Sequence, residues 1–257
     1  MNALAYWADA LPRWAIPDHI LRAAPESPWI HPVANFTPGD DVHVDVPSRL
    51  RALEALPPAG SVLDVGCGGG RAAFGLVPPA ALVVGVDQQP AMLGVFAAQA
   101  ASRGVEARTI RGDWPAVEAD APVCDVVVCH HVFYNVADLG PFIRALGAHA
   151  RRRVVVELPQ RHPLSSLTPF WKRFWDLDRP ESPTHLDALA AVRQTGADAH
   201  MDEFIQHIPD RPITDENVAH TRVRLCLTPD RDPEVREAME AHRMTERSLA
   251  AIWWDVS

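Results

Sequence analysis

Short apolar runs alternate with more polar segments along the middle of the chain. The runs are rich in valine, as strands buried on both faces of a sheet are. They lie near 61–65, 82–87, 123–129 and 152–158, and a less apolar strand is predicted near 105–111. The segments between them are predicted to be helical, near 69–76, 90–103 and 138–150. Alternation of this kind predicts a parallel sheet with right-handed crossovers, and therefore an α/β fold.

The C-terminal part of the chain carries further elements. A helix over 184–195 begins with a capping box formed by Thr184 and Asp187 and ends at Gly196. The last elements are a strand near 198–208, helices near 214–226 and 233–243, and a strand that ends at Val256. Residues 159–183 form an insertion at the edge of the sheet where α/β proteins bind their ligands.

The N-terminal region, residues 1–58, is interpreted as a helical arm that precedes a catalytic domain over 59–257. It carries apolar side chains among prolines: Trp7, Trp14, Ile20, Leu21 and Trp29. These side chains either bury apolar area against the domain or form a lid over its active site.

A glycine-rich turn follows the first strand, over 66–70. Asp87 ends the second strand, 21 residues after Gly66, where a carboxylate binds a ribose diol in folds of this class. Two cofactors are compatible with the turn. From Gly68 it satisfies the nicotinamide pattern G-x-G-x-x-A, and from Asp64 it reads D-x-G-x-G-x-G.

The second pattern resembles the class I S-adenosylmethionine-dependent methyltransferases. Three later features agree with that family in the right order: the turn after Asp87, the sequence Arg111-Gly112-Asp113-Trp114, and the fourth strand with the turn after it. The resemblance spans roughly 61–136. It implies a three-layer Rossmann-like fold whose seven-stranded sheet is mostly parallel, with an antiparallel last strand inserted beside the fifth.

The resemblance also implies which residues bind S-adenosylmethionine. Asp64 and the glycines lie near the methionine part, Asp87 on the ribose, Met92 near the adenine and Asp113 on the adenine amino group. The whole predicted cofactor set is Asp64, Gly66, Cys67, Gly68, Gly70, Asp87, Gln88, Met92, Gly112, Asp113, Trp114, Cys129 and His130.

Candidate catalytic residues follow the fourth strand. His130 and His131 lie at the edge where the methyl donor is expected, and histidine suits a general base near neutral pH. Side chains alternate along an extended segment, so one histidine faces the ligand and the other faces away. Tyr134 is a third candidate. The alternatives are that the histidines only line the cofactor and that Tyr134 anchors the turn.

Candidate substrate residues lie on the fifth strand and the insertion. They are Glu157, His162, Trp171 and Trp175. Glu157 and His162 are placed to reach a methyl acceptor, and the two tryptophans lie on one helical face, where they would form an aromatic wall. The alternatives are an ion pair for Glu157 and packing of the insertion for the tryptophans.

Composition narrows the class of partner. The formal net charge of −9 disfavours nucleic acid, which is bound by clustered Lys and Arg. The four cysteines form no C-x-x-C pair and the histidines show no zinc-binding spacing, so neither a metal site nor a disulfide framework is expected. Apolar runs are too short for a membrane span. We therefore expect a cytoplasmic protein with a small-molecule substrate and no membrane or nucleic-acid partner.

Three functions are compatible with these features. The first is methyl transfer from S-adenosylmethionine to a small molecule, the second an NAD(P)-dependent oxidoreductase, and the third a non-catalytic module that binds S-adenosylmethionine. Methyl transfer is favoured because the nicotinamide interpretation explains only the glycine turn and Asp87. The sequence does not identify the acceptor or the oligomeric state.

Overall fold

A computed structural model describes residues 2–29, 40–210 and 212–256. In these residues seven strands form one sheet in the order β3-β2-β1-β4-β5-β7-β6. The strands are β1 Ser61–Val65, β2 Leu82–Asp87, β3 Glu106–Arg111, β4 Cys124–His130, β5 Ala150–Pro159, β6 His200–His207 and β7 Glu246–Asp255.

Ten α-helices surround the sheet in the described residues. They are α1 Ala3–Ala10, α2 Asp18–Ala23, α3 Pro47–Ala55, α4 Arg71–Phe74, α5 Pro90–Arg103, α6 Leu139–Ala148, α7 Thr168–Trp175, α8 His185–Gln194, α9 Asp215–Arg224 and α10 Asp232–Ala241. Short 3-10 turns lie at Leu11–Trp14, Asp40–His43, Glu118–Asp120, Phe133–Asn135, Pro163–Leu167 and Pro229–Arg231. None of the described helices is both long and apolar enough to cross a membrane.

The sheet confirms the predicted fold class. Strands β1 to β5 run parallel, and β7 pairs antiparallel with both β5 and β6. The strand order reverses between β1 and β4, so a crevice opens at the carboxyl ends of these two strands. The strand bounds differ from the prediction by a residue or two, and β4 includes His130.

Alternate side chains of the central strands fill two cores. On one face Leu63, Val127 and Val154 pack with α1, α6 and α8. On the other face Val62 and Val126 pack with α3, α4 and α5. Both faces are covered, which is why these strands are almost continuously apolar.

The N-terminal arm packs on both faces of the sheet. Trp7 in α1 is fully buried, its indole Nε1 donates to the carbonyl oxygen of Val136 over 2.8 Å, and its ring stacks on Tyr134. Helix α3 lies on the opposite face, against β5. Trp29 is 52 % exposed. The aromatic residues of the arm therefore differ in role, and Trp7 anchors it.

We expect Trp7→Ala to destabilise the protein by about 3–5 kcal/mol, because a fully buried indole and its packing are lost. The matched control is Trp29→Ala, which removes an exposed tryptophan from the same arm and should change the free energy of unfolding by less than about 0.5 kcal/mol. Urea denaturation followed by circular dichroism measures both. Equal effects of the two substitutions would contradict the anchoring role of Trp7.

Candidate functional site

The glycine turn after β1 is built from left-handed backbone. Gly66, Gly68 and Gly70 have φ angles of +73°, +50° and +89°, which side chains with a Cβ rarely adopt. The amides of Gly66 and Cys67 donate to the carbonyl oxygen of Val86 over 2.8 and 3.0 Å. The turn is thus fixed to the end of β2.

Asp87 holds this turn from the end of β2. One carboxylate oxygen accepts a hydrogen bond from the amide of Gly68 over 2.9 Å, and the other accepts one from Gln89 over 2.9 Å. The side chain is half-buried. A carboxylate oxygen can accept more than one hydrogen bond, so Asp87 retains acceptor capacity toward a ligand in the crevice.

Asp64 lies beneath the turn and is buried. Its carboxylate accepts a hydrogen bond from the amide of Ala73 over 3.1 Å, which fixes the first turn of α4. Burial raises the pKa of Asp64 to about 7, and the Ala73 amide offsets only part of that effect. In this structure Asp64 therefore supports the turn, and its predicted contact with a cofactor stays a prediction.

The other predicted cofactor residues divide by exposure. Gln88 and Asp113 are exposed at the ends of β2 and β3, and the amide of Gly112 donates to the carbonyl oxygen of Asp87 over 3.1 Å. Four others have buried side chains and therefore lie in the core beneath the carboxyl ends of the strands: Cys67, Met92, Trp114 and Cys129.

A small pocket with a cavity volume of about 70 Å³ lies beside the turn over β4 and β5. Ser48, His130 and Glu157 are among its polar residues. Its apolar walls come from the arm, from α4, from β4 and from the last two strands: Val42, Val44, Val46, Ala52, Ala72, Leu76, Val128, Phe204 and Leu249.

Glu157 is the buried charge of this pocket. Its carboxylate accepts a hydrogen bond from the hydroxyl of Ser48, and its second oxygen lies 3.1 Å from Nε2 of His131. Burial alone would raise the pKa of Glu157, but the two neighbouring histidines and the Ser48 hydroxyl outweigh burial and lower it to about 2. Glu157 is therefore a carboxylate at neutral pH.

The two histidines after β4 differ in environment. His130 faces the pocket, but its Nε2 atom is buried without a hydrogen-bond partner among the described residues, and burial lowers its pKa. His131 has a φ of +62°, and its side chain is 48 % exposed. Of the two, only His131 combines exposure with a hydrogen-bonding distance to a carboxylate.

Two candidates on the insertion side have structural contacts where the sequence predicted chemistry. The hydroxyl of Tyr134 donates to the carbonyl oxygen of Pro159 over 3.1 Å, and burial raises its pKa. His162 is buried and stacks on Trp14, and burial, with Arg179 nearby, lowers its pKa to about 4. Neither lines the pocket. The arm covers both side chains, which the sequence could not reveal.

The two tryptophans of the insertion also differ from the predicted aromatic wall. Trp171 is buried in a third core, with α2, α9 and α10. Trp175 donates from Nε1 to the carbonyl oxygen of Leu225 over 2.7 Å. Both side chains pack the insertion against the C-terminal helices, and the pocket lies elsewhere.

Several pocket residues were missed by the sequence analysis. Ser48 begins α3, and Phe204 comes from β6, far from the cofactor motifs in the chain. One signal was present, because Val42, Val44 and Val46 alternate with polar residues just before α3. That alternation is typical of an extended segment with one apolar face.

Comparisons with known proteins agree with this geometry. A family model described as a methyltransferase domain matches residues 62–152. The ubiquinone biosynthesis O-methyltransferase of Azorhizobium caulinodans is 35 % identical over 98 residues, which cover 38 % of this chain and 37 % of that protein. That of Methylobacterium nodulans is 36 % identical over 98 residues, 38 % of each chain. The matched segment is thus little more than a third of either relative.

A solved structure extends the likeness of the fold. The YcgJ protein of Bacillus subtilis superposes with a TM-score of 0.53 at 16 % identity, and the match covers 81 % of this chain and 97 % of that one. Residues 62–152 are therefore similar to a methyltransferase domain, and the solved structure shows a likeness of the α/β fold. Class I methyltransferases use S-adenosylmethionine as methyl donor.

We expect Gly66→Ala to destabilise the fold by about 2–4 kcal/mol, because a Cβ at φ +73° is strained and would overlap Cγ2 of Val132. The matched control is Gly94→Ala in α5, where an added Cβ meets nothing within 4 Å. That substitution should stabilise by about 0.5–1 kcal/mol. Thermal and urea unfolding measure both, and a neutral Gly66→Ala would contradict the described turn.

Asp64 makes a prediction about pH. The pKa of Asp64 is raised in the folded protein to about 7, above the value of about 3.9 in an unfolded chain. Its ionisation therefore costs stability progressively as pH rises from about 4 to 7, up to roughly 4 kcal/mol. Asp64→Asn should remove this loss, so the variant gains stability relative to the wild type across that range.

The control for this prediction is Asp125→Asn. Burial would raise the pKa of Asp125, but hydrogen bonds from Ser61 outweigh it and lower the pKa, so its ionisation adds stability as pH rises. This gain is complete by about pH 5, so Asp125→Asn should be less stable than the wild type by a similar amount at pH 5 and pH 8, opposite in sign to Asp64→Asn. Urea denaturation at pH 5 and pH 8 measures both differences. A difference for Asp64→Asn that does not change with pH would contradict the assigned ionisation.

Proposed function

We propose that this protein transfers a methyl group from S-adenosylmethionine to a small-molecule acceptor. The observation that carries the proposal is the Asp87 carboxylate, fixed beside three left-handed glycines at the point where the strand order reverses. A ribose diol matches the two oxygens of such a carboxylate. The pocket over β4 and β5 adjoins this edge and supplies a place for the acceptor.

The residues at the edge suit the parts of S-adenosylmethionine in order. The backbone of the glycine turn, at Gly66, Gly68 and Gly70, allows close approach of the methionine part because no Cβ intervenes. Asp87 holds the ribose, and the exposed side chains of Gln88 and Asp113 flank the adenine. When bound, S-adenosylmethionine supplies an activated methyl group.

The protein's own contribution to methyl transfer is mainly positioning. Displacement at an activated methyl carbon needs the nucleophile close to it and in line. Residues at the end of β4 bring the cofactor site and the pocket next to each other, because they contact both. Val132 covers Gly66 on one side, and His130 lines the pocket on the other.

A small molecule is the favoured class of acceptor. The pocket is lined mainly by valine, leucine and phenylalanine side chains, together with Arg49 and Arg71, and its small size leaves no room for a macromolecular segment. The net charge of −9 disfavours a polyanionic substrate such as nucleic acid. The two curated relatives are named as O-methyltransferases, so oxygen is the first acceptor atom to test.

We also propose a cellular compartment for the protein and a role for its N-terminal arm. The four cysteines are free and buried, which suits a reducing cytoplasm. The arm supplies Val42, Val44 and Val46 to the pocket wall, and this contact supports the interpretation of residues 1–58 as a cover for the catalytic domain over 59–257.

We expect Asp87→Ala to weaken binding of S-adenosylhomocysteine roughly 30- to 900-fold, which is about 2–4 kcal/mol, because a carboxylate facing the ribose is lost. Isothermal titration calorimetry measures the Kd. The matched control is Asp125→Ala. The carboxylate of Asp125 also accepts a hydrogen bond from a backbone amide, that of Ser61, but at the amino ends of the strands. Its Kd should stay within about twofold.

The same titration decides the proposed function. No binding of either S-adenosylmethionine or S-adenosylhomocysteine by the wild type would overturn it. Binding of NAD or NADP in their place would favour an oxidoreductase. Transfer of a radiolabelled methyl group to a panel of small phenols, thiols and amines then tests turnover, and binding without any turnover would indicate a non-catalytic module.

A further inference from the structure

Glu157 contacts both the backbone and the side chain of His131. The amide of His131 donates to the carbonyl oxygen of Glu157 over 2.7 Å, and the imidazole Nε2 lies 3.1 Å from the Glu157 carboxylate. The residue has a φ of +62°, a left-handed conformation that is uncommon for residues other than glycine. Backbone strain of this kind persists only where the surroundings fix it, and here Glu157 supplies two contacts.

The carboxylate that holds His131 is itself fixed. Glu157 is buried, and its other oxygen accepts the hydroxyl hydrogen of Ser48, which belongs to α3 of the arm. The carboxylate therefore has a hydrogen-bond donor on each oxygen and little freedom to turn. The Ser48 hydroxyl orients the Glu157 carboxylate, and the carboxylate in turn orients the imidazole ring of His131.

His131 is not itself a lining residue of the pocket, but its neighbours connect the glycine turn with the pocket. The next residue, Val132, packs against Gly66, whereas Glu157 and Ser48 line the pocket. Half of the His131 side chain is exposed. Its Nδ1 atom has no hydrogen-bond partner in the part of the chain that the structure describes. The titratable groups that face this ring there are Glu157 and His130.

We propose that His131 is the general base of the methyl transfer, that Glu157 and Ser48 are its positioning residues, and that the acceptor is therefore a phenolic hydroxyl. The inference rests on the proposed function. With Nε2–H donated to Glu157, Nδ1 is the free lone pair that takes the hydroxyl proton. The acceptor oxygen then forms a bond to the methyl carbon as the carbon–sulfur bond breaks, and the sulfur keeps that electron pair.

The chemistry of the pocket selects the class of acceptor. A base is useful only when the nucleophile arrives protonated, as a hydroxyl does, whereas a carboxylate or a neutral amine already has a free lone pair. The apolar walls, which include Val46, Phe204 and Leu249, suit an aromatic ring. His130 is a weaker candidate, because no carboxylate orients its ring and its Nε2 is buried.

The first test is the tautomer of His131 in the protein without added ligand. Nitrogen-15 NMR of the histidine side chains at pH 8.5 should show His131 protonated at Nε2 and bare at Nδ1. The resonance is assigned by its loss in His131→Gly. Glu157→Gln should reduce the share of this tautomer. Protonation at Nδ1 in the wild type, or no change in Glu157→Gln, would overturn the proposed arrangement.

The second test is kinetic and uses His131→Gly, because glycine adopts φ +62° without strain and so preserves the turn. With phenol and catechol as acceptors, kcat should fall about 10²- to 10⁴-fold, whereas the Kd for S-adenosylhomocysteine stays within about twofold. Free imidazole should restore at least about tenfold of the lost rate. Glu157→Gln should lower kcat more than it raises KM.

The matched control is His207→Ala. His207 also pairs with a glutamate, Glu246, but its side chain is 82 % exposed on β6, away from the edge. Its kcat should stay within about twofold. Full activity of His131→Gly, or no rescue by imidazole, would overturn the assignment of the base. Cofactor binding without methylation of any phenol, or with methylation of thiophenol or aniline only, would overturn the acceptor class and leave the proposed cofactor intact.

Discussion

The buried carboxylate of Glu157 connects three parts of the molecule that are distant in sequence. It lies on β5, receives a hydroxyl from the arm at Ser48, and holds the turn after β4 through both the backbone and the ring of His131. A buried charge is costly unless it is hydrogen-bonded and paired, so these contacts are required for Glu157 to remain ionised. One residue thus links the arm, β5 and the turn after β4.

A second constraint fixes the cofactor side of the same edge. Parallel strands end together, so the chain must leave β1 and β4 sharply to reach its crossover helices. After β1 the chain turns through left-handed glycines, which Asp87 and Val86 hold from β2. After β4 it turns through His131, which has a φ of +62° and is the proposed base. In the proposed function the first turn binds the cofactor and the second carries the base.

The fold was predictable because its signals are local. Valine-rich runs, the glycine turn and Asp87 each fall within a few residues, and the alternation of strands and helices predicts a parallel sheet. The antiparallel last strand beside the fifth is implied by the family resemblance and not by the alternation. The contacts that define the catalytic side are not local. Ser48 and Glu157 are 109 positions apart, and His162 meets the arm at Trp14. No pattern in a single sequence reports which distant side chain covers a histidine, so Tyr134 and His162 could not be separated from His131.

Burial then decides which candidate can react. An aromatic or imidazole side chain under the arm exchanges solvent for packing, and its ionised form is disfavoured: burial raises the pKa of Tyr134 and lowers that of His162. At the rim of the pocket the same physics acts in the opposite direction. In the proposed mechanism Glu157 orients the ring of His131, and a carboxylate in a poorly solvated place attracts a neighbouring imidazolium more strongly. The arm, which helps to bury Glu157, would then act on the proposed reaction without taking part in it.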